Sequence, residues 1–413
     1  MKILLLTPMP PDPSAPGAIP VVLHAQLRGL SARHEVTIVS VAGPDPRELA
    51  AVDRLAAEGF DVHVARRREL PAAAARARGR RRAATWLRTD WPWRTVSFWA
   101  PGLSPLIDRL SAERRFDVVA VEDSAMGVYR LPGDLPRVYT EHEVRDRVAP
   151  VRAPATAREV PEWLATRVNW RRWASHQEDL WRSYDVVQAF TDRDAREIGA
   201  RLGGAATAVR VTPFGIDLPP MRAVPGVPDR MVFIGNFTHA PNADAALWLA
   251  RDILPRIRRE RPGATLALAG MFPPPALRAL DGPAVQVLGE VDDIDDLVAQ
   301  AALVCAPVRT GGGMRMKVLQ AMAHGKAVLT TPLGTEGLAT EGRQPPLAVG
   351  ADAEGLATSA IALLSDADAR RRLGEAARGY AEQHHSPEAY AARLTASYEL
   401  AIERRRAASG RAS

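Results

Sequence analysis

Three consecutive glycines followed by two cations form the segment of this sequence best suited to binding an anion. The run reads Gly311-Gly312-Gly313, and Arg315 and Lys317 follow it closely. Because glycine carries no side chain, backbone N–H groups in such a run can approach a phosphate. The two cations fall in the first turn of a predicted helix, where each opposes the helix dipole by roughly 0.3–1 kcal/mol. The pattern therefore favours a bound phosphate or diphosphate, and the alternative is a flexible turn beside a solvated cationic face.

The elements around this segment are a strand before it and a helix that begins with it. The apolar run Leu303–Ala306 predicts a buried strand, and an amphipathic helix is predicted over Met314–His324. No Gly-Lys-Ser/Thr ends the run and its glycines are contiguous, so it is neither a P-loop nor a dinucleotide-binding fingerprint. Binding of ATP or NAD is therefore disfavoured. Gln320 lies further along the same predicted helix.

Three further residues follow predicted strands and could meet a ligand there. Gly17 lies between the first strand and a helix, His142 follows the strand Arg137–Glu141, and Glu336 lies beyond the strand Ala327–Thr330. A histidine with an ordinary pKa of about 6.5 can act as an acid, a base or a sugar-binding group. A carboxylate can accept a hydrogen bond from a sugar or ribose hydroxyl. The alternatives are a turn glycine, a structural histidine and a helix-capping glutamate.

Short apolar runs alternate with longer amphipathic stretches along the chain, which is typical of strands and crossover helices in parallel sheets. The remaining predicted strands are Lys2–Thr7, Glu35–Val41, Asp61–Val64, Asp117–Val121, Asp185–Ala189, Ala208–Thr212, Met231–Gly235, Thr265–Gly270 and Val285–Leu288. The remaining predicted helices are Ile19–Ser31, Pro161–Ser183, Asp192–Leu202, Ala243–Arg259, Ile294–Gln300, Glu354–Ser365, Asp366–Glu382 and Pro387–Arg406.

A stretch rich in proline and glycine, 213–229, separates two alternating halves and predicts an interdomain linker. A chain of 413 residues also exceeds what one hydrophobic core usually supports. We therefore predict two doubly wound α/β domains, 1–212 and 230–385, and a C-terminal helix with a frayed tail, 386–413, that packs back toward the first domain. Such domains bind ligands beyond the carboxyl ends of their strands.

Cysteine usage and hydropathy predict a cytoplasmic location. The single cysteine, Cys305, allows no intrachain disulfide and favours a reducing compartment. The apolar run at the N-terminus is too short for a secretory signal, and we predict that it forms the first strand. Arginines interrupt every long apolar stretch, so no membrane-spanning helix is predicted.

Tryptophan and arginine are interleaved in the first half of the chain. Their pairing suits a membrane interface, an aromatic acceptor or nucleic acid, and the last is disfavoured because no nucleic-acid motif accompanies it. We predict that the region Arg66–Trp99 contacts an anionic membrane surface or the acceptor, with an ordinary solvated helix as the alternative. Four tryptophans on one face of the helix Pro161–Ser183 are predicted to pack in the core: Trp163, Trp170, Trp173 and Trp181.

An acidic run, Asp292–Asp296, could suggest a metal site. It coincides with the start of the predicted helix Ile294–Gln300, where acidic residues are expected as caps. Helix capping is therefore the prediction, with no metal.

Five stretches of the second half occur in an order that resembles a known family. They are VTPFGID (Val211–Asp217), FIGNFTHAPNADA (Phe233–Ala245), LGEVDD (Leu288–Asp293), GGGMRMKVLQAMAHGKAVLTTPLGTEGL (Gly311–Leu338) and HHSPEAYAARL (His384–Leu394). Together they resemble the C-terminal half of retaining glycosyltransferases of the GT-B architecture, in particular glycosyltransferase family 4. The resemblance implies two facing Rossmann-like domains with an inter-domain cleft. It also implies a nucleotide-sugar co-substrate and no cofactor or catalytic metal.

The resemblance further implies roles for individual residues. Arg315 and Lys317 would bind the donor diphosphate together with the backbone of Gly311–Gly313. Gly17 would let the backbone approach the donor phosphate, and His142 stands at the strand end where the family also has a histidine. Further donor contacts would come from the loop Gly235-Asn236-Phe237, at the phosphates and the sugar, and from Val291, at the base.

The sequence departs from the family in two places. Many members have an arginine and a lysine after the first strand of this domain, where this chain has Asn236, His239 and Asn242. We infer that Arg315 and Lys317 take over the cationic role. The family's glutamate pair is replaced by Gly312 and Gln320, and a neutral glutamine forms weaker hydrogen bonds to a ribose than a carboxylate does.

Transfer of a sugar from a nucleotide-diphosphate sugar to an acceptor hydroxyl, with retention, is the leading hypothesis. The acceptor would be a cell-surface polysaccharide or lipid intermediate, or a natural product. The alternatives are a nucleotide-sugar epimerase of the same architecture and a binding protein that has lost catalysis.

Overall fold

The computed structural model describes residues 1–15, 17–67, 75–145, 153–154, 156–222, 224, 226–340 and 342–409, without the side chains of 75–81. The chain divides into two compact units. The first comprises Met1–Thr212 and the C-terminal segment from Ala391, and the second comprises Pro213–Tyr390. In the described residues, the predicted linker 213–229 contains no helix or strand.

The first unit is built on a seven-stranded, all-parallel sheet with the strand order β3-β2-β1-β4-β5-β6-β7. In register, Leu4 of the first strand pairs with Thr37 on one side and Val119 on the other. The strands are β1 (Lys2–Thr7), β2 (Glu35–Ala42), β3 (Asp61–Arg66), β4 (Val118–Glu122), β5 (Arg137–Glu141), β6 (Val186–Ala189) and β7 (Ala208–Val211).

Helices connect these parallel strands, as crossover connections require. They are α1 (Ala18–Ser31), α2 (Pro46–Ala57), α3 (Ala75–Arg88), α4 (Trp93–Phe98), α5 (Leu103–Glu113), α6 (Val160–Arg182) and α7 (Asp192–Leu202). A 3₁₀ turn, Ser124–Met126, follows β4.

The second unit has a six-stranded, all-parallel sheet with the strand order β10-β9-β8-β11-β12-β13. Its strands are β8 (Arg230–Ile234), β9 (Thr265–Ala269), β10 (Val285–Gly289), β11 (Leu303–Ala306), β12 (Val328–Thr330) and β13 (Ala348–Val349). Its helices are α8 (Ala240–Trp248), a π-turn (Leu249–Ile253), α9 (Leu254–Glu260), α10 (Pro275–Arg278), α11 (Ile294–Gln300), α12 (Met316–Ala323), a 3₁₀ turn (Pro332–Thr335), α13 (Ala353–Ser365) and α14 (Ala367–His384). The last helix, α15 (Pro387–Ser409), runs into the C-terminal segment of the first unit.

Each sheet is buried by its own apolar strands. Leu4, Leu6, Val119 and Val121 lie in the core of the first unit, and Phe233, Leu266 and Leu303 lie in the core of the second. Central strands covered on both faces read as near-continuous apolar runs, which is why the sequence predicts them. Cys305 is buried in the second core, and burial raises the pKa of its thiol to about 12, so this residue fills space.

The predicted strands are confirmed with small shifts of their ends, but some elements were outside the prediction. Helices α2, α4, α5 and α10 and the two-residue strand β13 have no counterpart among the predicted elements. Helix α3 lies in the region Arg66–Trp99, for which a solvated helix was the alternative prediction. The described helices include none long and apolar enough to cross a membrane.

The acidic run acts as a helix cap, as predicted. The Asp293 carboxylate accepts a hydrogen bond from the backbone N–H of Asp296 at 2.8 Å, which satisfies one free donor in the first turn of α11.

The core prediction for the four tryptophans of α6 is confirmed only for Trp181, which is fully buried. Trp163, Trp170 and Trp173 are half-buried. Arginines cover their rings: Arg145 stacks over Trp170 and Trp173, at 4.9 and 4.6 Å, and Arg167 over Trp163 at 4.8 Å. A guanidinium can cover an aromatic face while its charge stays hydrated, so these rings need no burial in the core.

Candidate functional site

The strand order of the second unit reverses between β8 and β11, which are neighbours in the sheet. Loops that follow adjacent parallel strands on the two sides of such a reversal separate and leave a crevice at the carboxyl edge of the sheet. The loop after β8 begins with Gly235, and the loop after β11 contains Gly311–Gly313. The topology thus brings two predicted donor-binding loops to the same sheet edge.

Helix α12 begins at Met316, two residues later than predicted, and its N-terminus has no side-chain cap. Arg315 is the N-cap residue and no acidic residue lies in the first turn. Gly311 and Gly313 have φ values of 99° and 73°, a region that favours glycine and lets the loop turn sharply into the helix. Within the described residues, the start of α12 therefore has no side-chain cap and presents a positive dipole end, which is an arrangement that binds anions.

The Arg315 guanidinium lies against the glycine loop. Its Nη1 donates to the carbonyl oxygen of Gly312 and its Nη2 to that of Gly311, the latter at 2.9 Å. These contacts hold the guanidinium and the glycine backbone together at the start of α12.

Lys317 is the cation at this sheet edge whose pKa is most strongly shifted. Its Nζ donates to Asn242 Oδ1 at 2.6 Å and lies 4.2 Å from the centre of the Phe233 ring. Burial, and secondly the charge of Arg315, lower the pKa of this lysine to about 7. In the described part of the chain Lys317 has no carboxylate partner within ion-pair distance. The charged form of a lysine buried in this way is stabilised when an anion binds beside it.

The loop after β8 lies beside Lys317 and is held by its own hydrogen bonds. Asn242 Nδ2 donates to the Asn236 carbonyl at 2.8 Å, and the Asn236 side chain accepts from the Thr238 backbone N–H at 3.0 Å. The Phe237 side chain, in contrast, is buried against Phe233, with ring centres 6.1 Å apart. The Phe237 N–H donates to the Met271 carbonyl, so only the backbone carbonyl of Phe237 is left to face a ligand.

The remaining predicted donor contacts of this unit lie on α12 and in two further loops. Gln320 lies on α12, half-buried, and its side chain has no hydrogen-bond partner among the residues that the structure describes. Glu336 directly follows the 3₁₀ turn after β12, and no helix begins there for it to cap. Val291 lies half-buried in the loop between β10 and α11.

In the first unit, His142 directly follows β5 and joins a buried polar cluster. Its Nε2 lies 2.9 Å from Glu122 Oε2 at the end of the neighbouring strand β4. Burial lowers the pKa of His142, but the hydrogen bond to Glu122 and that carboxylate's charge outweigh burial and raise the pKa above its ordinary value. Burial also raises the pKa of the adjacent Glu141 to about 7, against the hydrogen bond from Trp181.

Asp123, next to Glu122, adopts a φ of 72°, unusual for a residue other than glycine. It is buried and pairs with Arg94, the closest atoms being 2.6 Å apart. Burial acts to raise the pKa of Asp123, but Arg94 holds it below the ordinary value. Sequence reasoning missed Glu122, Asp123 and Arg94. The sequence feature that could have identified the two carboxylates is that Glu122 and Asp123 directly follow the predicted strand Asp117–Val121.

Gly17, the N-cap residue of α1, borders a cavity of about 420 Å³. Met9 and Pro10, from the loop after β1, line one side, and Arg47 and Arg54 of α2 line another. Arg54 pairs with Asp12 at 2.9 Å. The cavity therefore combines apolar residues with charged groups from α2 and from the loop after β1.

Two doubly wound parallel sheets in one chain, with a cationic glycine loop at the reversal point of the second, are the features of the GT-B architecture of glycosyltransferases. Comparison with known families agrees with this class in both halves. The model described as Glycosyltransferase Family 4 matches residues 49–219, and the model described as Glycosyl transferases group 1 matches residues 228–366. The chain is a GT-B glycosyltransferase of this family 4 and group 1 type.

Solved structures share the fold along nearly the whole chain. HepE from Anabaena, determined with UDP and glucose, is 16% identical with a TM-score of 0.63, and the match covers 97% of this chain and 99% of HepE. TarM of S. aureus is 8% identical with a TM-score of 0.63, covering 96% and 100%. Sucrose-phosphate synthase from Thermosynechococcus elongatus is 14% identical with a TM-score of 0.61, covering 97% and 98%.

One curated relative is an uncharacterized 44.6 kDa protein in the cps region of Klebsiella pneumoniae. It is 24% identical over 119 residues, which is 27% of this chain. The chain spans 31% of that relative's length.

Proposed function

We propose that this enzyme takes its sugar from a nucleotide-diphosphate sugar, and that Arg315, Lys317 and the backbone of Gly311–Gly313 hold the diphosphate. The observation that carries the proposal is Lys317, a cation desolvated against Phe233 beside an uncapped helix N-terminus. Such a cation destabilises the empty protein and is compensated when an anion binds. During transfer the same groups stabilise the charge that develops on the leaving diphosphate.

UDP is the nucleotide that we propose first. The structure of HepE contains UDP and glucose, and the structure of TarM was determined with UDP. In this chain the residue facing the ribose would be Gln320, whose side-chain amide is uncommitted among the described residues. A neutral amide can form both hydrogen bonds with ribose hydroxyls, although each is weaker than with a carboxylate.

UDP and UDP-sugars are expected to raise the Tm of this protein, because a ligand that binds only the folded state stabilises it by mass action. Thermal unfolding with UDP-, GDP-, ADP- and dTDP-sugars measures this. Gln320→Glu should increase UDP affinity by roughly threefold to tenfold, since a charged acceptor doubles the hydrogen-bond strength. A panel in which no nucleotide sugar changes the Tm would refute the donor proposal, and binding without turnover would favour the catalytically degenerate alternative.

For the chemistry we propose transfer to an acceptor hydroxyl with retention at the anomeric carbon, without a resident cofactor or metal. The family resemblance supports retention, and the anomeric configuration of the product, read by NMR, tests it. Product formed from a nucleotide sugar in the absence of acceptor would instead favour the epimerase.

We propose that the first unit, which would bind the acceptor, contacts an anionic membrane surface. In the described part of the first unit, the exposed large apolar side chains fall in two segments: Leu87, Trp93, Trp99, Val160, Leu164 and Val168. The two segments are in contact, because the Trp93 N–H donates to Asn169 Oδ1 at 2.6 Å and Arg172 stacks over Trp86 at 4.3 Å. Residues 68–74 of the predicted region Arg66–Trp99 lie outside the described residues.

Helix α6 extends this apolar surface beyond the predicted region. Val160, Leu164 and Val168 recur every four residues and share one helix face. Arg158 and Arg171 are exposed beside them. Exposed aliphatic and indole groups flanked by arginine suit the interface of an anionic bilayer, and this supports a lipid-linked acceptor.

Leu164→Asp together with Val168→Asp should therefore reduce binding to vesicles of phosphatidylglycerol and phosphatidylcholine by about tenfold or more. Co-sedimentation measures the bound fraction, and pure phosphatidylcholine vesicles separate the charge contribution from the apolar one. Leu288→Asp, which charges an exposed apolar residue of the second unit, is the matched control. Equal binding by the double variant and the wild type would rule out this surface.

A further inference from the structure

Glu122 forms a hydrogen-bonding centre in the core of the first unit. It is completely buried and receives hydrogen bonds from Gln26 Nε2 at 2.7 Å and Thr140 Oγ1 at 3.0 Å. His142 Nε2 is its third partner, at 2.9 Å. Because an ionised carboxylate only accepts hydrogen bonds, the proton of this third bond belongs to Nε2. The carboxylate therefore determines which nitrogen of His142 carries hydrogen.

The His142 ring is also fixed by its neighbours. Its edge meets the Phe190 ring at right angles, with an interplanar angle of 87° and 5.2 Å between centres. About 9% of the His142 side chain stays exposed. Nδ1 is the remaining polar atom of the ring, and it has no hydrogen-bond partner within the residues that the structure describes.

We propose that Glu122 is a positioning residue: by holding Nε2–H, it presents Nδ1 of His142 to the substrate as a hydrogen-bond donor. This inference rests on the proposed function, in which His142 meets the sugar donor or the acceptor. The ligand atoms that such a donor recognises are the oxygens of a sugar hydroxyl or of a phosphate. Glu122 acts through His142, and its own carboxylate has no access to substrate.

The charges around His142 decide whether Nδ1 carries a proton. Glu122 of β4, Asp123 after it and Glu141 of β5 all favour the imidazolium, while Arg94 is committed to Asp123. The net result is a raised pKa, which favours the imidazolium, the form in which both ring nitrogens carry hydrogen. A neutral ring with Nε2–H on Glu122 would leave a lone pair on Nδ1 and make His142 a general base. The two roles predict opposite pH dependence.

The first arm of the test is NMR of ¹⁵N-histidine-labelled full-length protein, with His142→Asn to assign the signal. The wild type should show the Nε2–H tautomer at high pH and a pKa above the ordinary value. Glu122→Gln, which keeps the shape and removes the charge, should lower that pKa by about one pH unit or more. Identical titration of His142 in the two proteins, or the opposite tautomer in the wild type, would overturn the proposal.

The second arm is the pH profile of kcat with saturating donor, which reports groups in the enzyme–substrate complex. Wild-type kcat should fall as pH rises through the His142 pKa, because the donor form is lost. In Glu122→Gln the fall should begin at lower pH. A His142 pKa that is lower by one gives about a tenfold loss of kcat at a pH above both pKa values and a small loss at a pH below both. A uniform loss at every pH would mark a merely structural role and overturn the proposal.

Asp194→Asn is the matched control for replacing a buried carboxylate. Asp194 is buried on α7, and its carboxylate accepts from Thr191 Oγ1 at 2.8 Å. This variant should leave the His142 titration unchanged. If no nucleotide sugar is turned over, the proposed sugar transfer fails by itself, and the NMR arm still decides whether Glu122 controls His142.

Discussion

Replacing Lys317 by methionine is expected to lower kcat by roughly 10²–10³ and, at the same time, to raise the Tm of the ligand-free protein. The loss follows because one preorganised charge facing the leaving diphosphate disappears. The gain follows because Lys317 is desolvated beside Phe233 and repelled by Arg315 in the empty site. Methionine fills a similar volume without charge. Steady-state kinetics and thermal unfolding of the same preparation measure the two effects.

The stabilisation should depend on pH with a defined sign. The Lys317 pKa is about 7 in the folded protein and has its ordinary value, about 10.4, in the unfolded chain. Between these values the unfolded chain binds more protons, so the free energy of unfolding of the wild type rises with pH. Below about pH 7 the full cost of the charged lysine is present. The advantage of Lys317→Met should therefore be largest near pH 6 and shrink toward pH 10.

Lys326→Met is the matched control, because it removes the neighbouring lysine of the same unit. Lys326 donates to the carbonyl oxygens of Ala299 and Ala301, the latter at 3.1 Å, at the end of α11. Its loss should lower the Tm and change kcat by less than about threefold. Wild-type turnover by Lys317→Met would contradict the assignment of this residue to the donor site.

Much of the fold could be predicted from the sequence because buried parallel strands are continuous apolar runs. Strand β11, Leu-Val-Cys-Ala, and the apolar part of β4 are examples. Helix α2 was not predicted, although its sequence signals the start of a helix: Asp45 is the N-cap and Pro46 occupies the first turn. Helix α3 is rich in arginine and has no regular apolar stripe to identify it. Strand β13 has only two residues, too few for any periodicity.

The candidate site could be predicted only where its residues are close in sequence. The anion site around Lys317 could be predicted because its glycines, its cations and the start of its helix are contiguous. The partners Asn242 and Phe233 come from the β8 side, and pairing of β8 with β11 brings them to the lysine. Similarly, Glu122 meets His142 because β4 pairs with β5. Strand order is a long-range property, and local patterns do not determine which loops become neighbours.

Gly235→Ala is expected to lower kcat/KM for the sugar donor by about 10–100-fold while the protein stays folded. A methyl group at this position would lie 2.9 Å from both Lys317 Nζ and Asn242 Cγ. Lys317 Nζ ends a long flexible side chain and Asn242 Cγ moves by side-chain rotation, so both can move away without displacing backbone. The ammonium then leaves its place beside the diphosphate, and displacements of about 1 Å in a catalytic site can cost about 10²-fold. Donor-dependent kinetics and the Kd for UDP measure the effect.

The reason to expect a site-specific effect is that the Gly235 backbone does not itself require glycine. Its φ lies outside the positive range, so alanine introduces no conformational strain and only the contact with Lys317 and Asn242 changes. Gly282→Ala is the control, since a methyl group there meets no atom within 4 Å. Combining Gly235→Ala with Lys317→Met should cost little more than Lys317→Met alone, because the methyl group acts through the lysine. Additive losses in the double variant would show that Gly235 contributes by another route, such as direct approach of its backbone to the donor.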